Sequence, residues 1–231
     1  MTSRRLTGVL VGLCLLIVEL PASAGVVIGA TRIVMEEQVG QQEVYLRATG
    51  KHAYLVVANV LPAAAREQGD SAAKVEGVQV LPPALVMRGG QERQLRILAN
   101  PKHGLPRDRE SLLYLTVSAI PEGNKEKQGV QIAVRTWIKL FYRPGPLAGK
   151  AIPALRIARD GDDVVMKNAS PFYVSLSGVV LAGRPVVSPG DVPPFGEKRF
   201  TGCVPVEPCE LRWQQMTKDN QWISYAVAAG N

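Results

Sequence analysis

The 231 residues exceed what one small β-sandwich needs and suit two domains of ordinary size. Apolar residues at 46% and charged residues at 20% are ordinary globular values that allow real cores, while 17 prolines and 22 glycines spread along the chain disfavour long helices. The formal net charge of +7 is scattered, with no run of Lys or Arg and no interleaved aromatics, which argues for a solvated basic surface and against nucleic-acid binding.

In chain order, Arg4 and Arg5 precede an apolar stretch over residues 6–20, followed by the small residues of Pro21-Ala22-Ser23-Ala24. This three-part pattern predicts a secretory signal peptide, residues 1–24. The apolar run is short for a membrane span of ~20 residues, so cleavage is favoured over an uncleaved anchor. Loss of Arg4, Arg5 and Glu19 then lowers the net charge to +6. Cys14 leaves with the signal, so Cys203 and Cys209 remain. Two close cysteines in an exported chain point to one disulfide, and neither His52 nor His103 sits at a metal-ligand spacing from them.

Strand-like alternation then recurs between turn signals. Residues 25–35, 41–47, 53–60, 75–81, 94–99 and 112–119 each read as a strand. Pro82-Pro83 stops the fourth, and Gly89-Gly90 turns into the fifth. A seventh strand, 130–142, is the most informative. Val130, Ile132, Val134 and Ile138 alternate with Gln131, Ala133 and Arg135, which sets the aliphatic residues on one face. Seven strands before Pro144 is the number expected of an immunoglobulin-type sandwich. Residues 144–153 carry three prolines and two glycines and read as a hinge or linker. Alternation restarts at 155–157, 164–167, 173–181, 197–200, 211–215 and 222–227, with Asp160-Gly161 as a hairpin signal. The pattern predicts an all-β chain of two sandwiches, divided as residues 25–146 and 147–231.

On periodicity alone, strand 130–142 is a core strand facing its own sandwich. Its motifs, with others in the same order, carry a more specific resemblance. Thr31-Arg32, the stretch Leu105-Pro106-Arg107-Asp108-Arg109-Glu110-Ser111-Leu112, then Ala119-Ile120-Pro121 are followed by Ile132-Ala133-Val134-Arg135-Thr136-Trp137-Ile138-Lys139-Leu140-Phe141-Tyr142-Arg143-Pro144. In the second half, Asn168-Ala169-Ser170-Pro171-Phe172-Tyr173-Val174 completes the set. In order and spacing these resemble the PapD-like periplasmic chaperones that assemble pili and fimbriae.

The resemblance implies two immunoglobulin-like sandwiches in a boomerang. It also implies a strand donated to pilus subunits, which are then delivered to an outer-membrane usher. The donated residues would be Val130, Ile132, Val134, Thr136 and Ile138. Arg32 and Lys139 match the residues that anchor the subunit's terminal carboxylate, for which charge-assisted donors are suited. Lys139 has the opposite parity to the donated aliphatic residues, which a twist or bulge near Trp137 would reconcile. Glu110 and Arg143 match an interdomain ion network, with Asp219 as its third member. The exposed donor edge predicts self-association of the free protein. No cofactor, metal or catalytic residue is implied.

An enzyme would need a nucleophile elbow, a phosphate-binding loop or a paired-histidine metal motif, and the sequence has none of these. Asp108 and Glu110 form a carboxylate pair, but Arg107 and Arg109 beside them argue for ion pairing. The other alternative is a secreted β-sandwich adhesin or carbohydrate-binding module. Such a protein presents exposed aromatics, and Trp137, Trp213 and Trp222 are dispersed in the sequence.

Overall fold

The computed structural model describes residues 25–68, 75–100, 104–123, 131–203, 209–217 and 219–229. The predicted signal segment 1–24 and Val130 lie outside the described residues. Among those described, nine strands build a first sandwich: β1 (Val26–Ile28), β2 (Arg32–Glu36), β3 (Gln41–Ala48), β4 (Tyr54–Pro62), β5 (Val78–Leu81), β6 (Ala84–Met87), β7 (Glu92–Ala99), β8 (Ser111–Pro121) and β9 (Val134–Arg143). One sheet runs β1-β3-β7-β5 and the other β2-β9-β8-β4-β6. A one-turn helix, α1 (Ala65–Gln68), follows β4.

Alternation explains the layers. In β3, Val44, Leu46 and Ala48 turn inward while Glu43, Tyr45 and Arg47 face water. Leu95 and Ile97 of β7 do the same, and meet Met35, Val56, Leu115 and Leu140 from the other sheet. Burying each such side chain contributes roughly 1.5–3 kcal/mol. β8 lies in the middle of its sheet and is buried on both faces through its central residues.

Three features depart from the sequence-based expectation. Residues 25–35 form two strands, not one: β1 pairs with β3, whereas β2 crosses to the other sheet and runs parallel to β9. The crossing passes Gly29, whose N–H donates to the Tyr45 carbonyl at 2.8 Å. Both halves bury residues in the same core, so the hydrophobic alternation carries no mark of the crossing. The second departure is β6, a strand directly after Pro82-Pro83 whose Met87 is fully buried. The third is the expected linker, which includes a 3-10 turn, Gly145–Leu147, with Leu147 buried and Glu37 accepting the Gly145 N–H at 2.6 Å.

The second sandwich holds β10 (Arg156–Asp160), β11 (Asp163–Lys167), β12 (Val174–Leu181), β13 (Arg184–Pro185), β14 (Asp191–Val192), β15 (Glu197–Thr201), β16 (Cys209–Met216) and β17 (Trp222–Ala229). Its sheets run β10-β11-β15 and β13-β12-β16-β17, with β14 also on β12. Gly161, at φ +63°, takes the left-handed position in the tight β10–β11 hairpin. Gly178, at φ +53°, sits in a register shift between Ser177 and Val180 of β12. Cys203 and Cys209 are disulfide-bonded and buried in this core beside Leu181 and Leu211.

Candidate functional site

Strand β9 has a neighbour on each side for only half its length. β8 pairs with it from Ala119↔Val134 to Ser111↔Tyr142, whereas β2 pairs with it only from Arg32↔Lys139 to Glu36↔Arg143. Residues 134–138 therefore present an open backbone edge on the β2 side. Burial follows the pairing: Val134 and Arg135 are exposed, Thr136 and Trp137 are partly so, and Leu140–Arg143 are buried. Val134, the first residue of the strand, and Ile132, two residues ahead of it, are 55% and 72% exposed, leaving two aliphatic side chains open to solvent.

The parity of Lys139 needs no bulge, because the β8–β9 register is continuous from Val134 to Tyr142. Ile138, Leu140 and Tyr142 enter the core of the first sandwich. Val134 continues that same face beyond the core, and Ile132 lies two residues ahead of it. The opposite face, with Trp137, Lys139, Phe141 and Arg143, looks toward the second sandwich. Ile138, expected among the donated residues, is instead a core residue at 7% exposure. The exposed aliphatic residues are thus narrowed to Ile132 and Val134.

On the cleft side, parallel register sets Arg32 directly beside Lys139. Lys139 Nζ lies 2.6 Å from Asp191 Oδ2 of β14, a contact between the two sandwiches. Arg32 lies over the Phe141 ring, 4.5 Å from its centroid. Its Nε and Nη1 are buried and have no hydrogen-bond acceptor among the described residues. Burial lowers the Arg32 pKa, an effect opposed by the charges of Glu110 and Asp191. A guanidinium remains charged under such a shift, so Arg32 is a partly desolvated cation with two unused donors. The cleft has a volume of about 330 Å³, and its walls include Arg32, Arg66, Lys139, Trp137 and, from the second sandwich, Ser175 and Trp222.

Arg143, four residues beyond Lys139 along β9, shows the contrasting case. Its Nε and Nη2 each lie 2.8 Å from Glu110 Oε1, and its Nη1 is 3.4 Å from Glu36. Glu110 Oε2 accepts the Tyr173 N–H at 2.8 Å, and the Glu110 N–H donates to the Pro171 carbonyl at 2.8 Å, so the second sandwich holds Glu110 through its backbone. Asn168 shapes that loop. Its amide donates to the carbonyls of Phe172 at 2.6 Å and Pro193 at 2.9 Å, and its oxygen accepts from Ser170. Asp219 is exposed in the turn between β16 and β17; the carboxylates found on Arg143 are Glu110 and Glu36.

Sequence reasoning missed several of these residues. Glu36 and Asp191 lie far in sequence from the cations they meet: β2–β9 pairing brings Glu36 to Arg143, and the contact between the sandwiches brings Asp191 to Lys139. Trp137 and Trp222 do come together, on the walls of one cleft, whereas Trp213 is buried and stacked on Tyr225 at 5.2 Å. Asp108 and Glu110 do not act as a pair: Asp108 binds Arg109 at 2.7 Å, and Glu110 turns inward to Arg143. No group of three or more metal-ligating side chains occurs among the described residues, and no described helix is long and apolar enough to cross a membrane.

A two-sandwich fold with an edge strand projecting beside a basic interdomain cleft defines the class, and comparison with known proteins agrees. Residues 25–148 match the family described as pili and flagellar-assembly chaperone, PapD N-terminal domain, and residues 150–217 match the C-terminal domain of the pili assembly chaperone PapD. The chain is 36% identical over 185 residues to the chaperone protein FimC of Escherichia coli O6:H1, covering 76% of this chain and 73% of FimC. It is 29% identical over 216 residues to the uncharacterized fimbrial chaperone YcbF of Escherichia coli (strain K12), covering 92% of each. The crystal structure of the E. coli chaperone DraB superposes with a TM-score of 0.68 at 26% identity, covering 88% of this chain and 98% of that one. The chain belongs to the PapD-like family of pilus assembly chaperones.

Proposed function

We propose that this protein is a periplasmic chaperone that captures pilus or fimbrial subunits by strand addition and passes them to an outer-membrane usher. The observation that carries the proposal is the half-paired strand β9, with a free edge over residues 134–138 and exposed Ile132 and Val134. An added strand gains backbone hydrogen bonds largely independent of its sequence, and alternate side chains set the register. In the sequence, Val130 is the aliphatic residue two positions ahead of Ile132. Periplasmic location is supported by the export pattern of residues 1–24 and by the disulfide.

Arg32 and Lys139 close the capture site at one end. They lie where an incoming strand on the open edge would run into β2, so a chain terminus stops there. Arg32 keeps charged donors without an acceptor, which suits it to a carboxylate, and Lys139 adds a second charge. Glu110, Arg143 and the Asn168 loop fix the angle between the sandwiches and with it the width of the cleft. The free edge would also pair with a second copy when no subunit is present.

Co-expression with a pilin subunit tests this. The wild-type protein is expected to co-purify with the subunit and protect it from periplasmic proteolysis. Arg32→Ala and Lys139→Ala proteins are expected to fold normally and lose that protection. Unchanged protection in both variants would remove the carboxylate-anchor assignment, and glycan binding with no pilin capture would favour an adhesin.

A further inference from the structure

One of the two anchoring cations already has a carboxylate on it. Lys139 Nζ lies 2.6 Å from Asp191 Oδ2, and the two residues belong to different sandwiches. Asp191 opens β14, a two-residue strand on β12, and its side chain is only 9% exposed. Arg32, the register partner of Lys139, has no such contact among the described residues, and its Nε and Nη1 are buried without an acceptor.

Two further polar atoms are left over beside this pair. Asp191 Oδ1 and Ser175 Oγ are both buried and have no hydrogen-bond partner among the described residues. Asp191 and Ser175 are register partners on β14 and β12. Register partners on adjacent antiparallel strands share a face, with Cβ atoms ~4.5–5.5 Å apart. A turn of the Asp191 side chain therefore brings its carboxylate to the Ser175 hydroxyl, which can donate to it. Ser175 lines the cleft, as Lys139 does. The Asp191 carboxylate thus has two places to rest: on Lys139, where it lies in the free protein, and on Ser175.

A chain terminus that reaches Arg32 and Lys139 meets Asp191 at the same ammonium group. Two carboxylates on one cation repel each other, and the repulsion grows where water is partly excluded. We propose that Asp191 is a resident competitor for the anchor. It occupies Lys139 in the free protein, weakens the hold on the partner's carboxylate, and withdraws to Ser175 once the partner is seated. The proposal rests on the anchoring of a terminal carboxylate by Arg32 and Lys139. Its consequence is a grip held below its maximum, so that a captured chain end can be released again. Because Asp191 belongs to the second sandwich, capture exchanges a contact between the sandwiches for one with the partner.

The test uses the processed full-length protein and a short synthetic peptide of alternating valine and serine, made as free acid and as C-terminal amide. Fluorescence of Trp137 and Trp222 in the cleft reports binding. Asp191→Asn keeps the side-chain shape and removes its charge. It is expected to bind the free acid about five- to tenfold more tightly than the wild type, the size of one partly screened charge pair, and the amide equally well. Asp191→Ser removes the same charge with a different shape and should shift the free acid in the same direction. Ser175→Ala should weaken free-acid binding about two- to threefold in the wild type and leave it unchanged in the Asp191→Asn background, because the hydroxyl acts through Asp191. Unchanged or weaker free-acid binding in both Asp191 variants would overturn the proposal, as would equal tightening of acid and amide. The same effect of Ser175→Ala in both backgrounds would overturn the second resting place. Equal binding of acid and amide by the wild-type protein would remove the Arg32–Lys139 anchor itself, and the competitor with it.

Discussion

Within β9, residues 139–143 and residues 134–138 belong to one unbroken strand yet occupy different environments. The first segment has β2 and β8 as neighbours and ends in Arg143, whose charge is met by Glu110 and Glu36. The second has β8 alone and runs out to the exposed Val134. Their cations differ in the same way. Arg143 has two carboxylates against it, whereas Arg32, at the boundary between the segments, has none in contact and keeps two buried donors without an acceptor. The contrast separates what holds this protein together from what it holds ready for a partner. A buried charge with its partner in place belongs to the scaffold, and one left without an acceptor marks a place that a ligand completes.

The comparison can be broken most severely at Glu110. Glu110→Ala leaves the buried Arg143 without its main partner and is expected to cost about 3–5 kcal/mol in chemical denaturation. Arg32→Ala is expected to cost about 1 kcal/mol, since no ion pair is lost and only the contact with the Phe141 ring goes. A loss at Arg32 as large as that at Glu110 would mean the two cations do the same work. The smallest effect on folding is expected at the strand tip. Val134→Ser should leave the denaturation midpoint within error while weakening subunit capture roughly tenfold, because the valine is buried only in the complex.

Much of the architecture was legible in the alternation of residues such as Val44, Leu46 and Ala48, and the Asp160-Gly161 hairpin followed from turn chemistry. The sheet crossing at Gly29 was not, because β1 and β2 face one core and keep one phase. Short strands such as β13 and β14 carry too few residues to show a period. The site divided similarly. The motif resemblance drew attention to Arg32 and Lys139, and parallel pairing sets them side by side. Glu36 reaches its cation through long-range strand pairing and Asp191 through the contact between the sandwiches, neither of which a single sequence encodes in any local pattern. The same holds for Ile138: its period matched Val134, but only the position of the core's edge decides that one is buried and the other is not.

Amide hydrogen exchange along β9, measured in the free protein and in its complex with a pilin subunit, tests the central claim most directly. Residues 140–143 should be protected in both states. Within residues 134–138, the amides that do not face β8 should exchange rapidly in the free protein and become protected on capture. Unchanged exchange over residues 134–138, with new protection confined to another surface, would contradict strand addition at this edge.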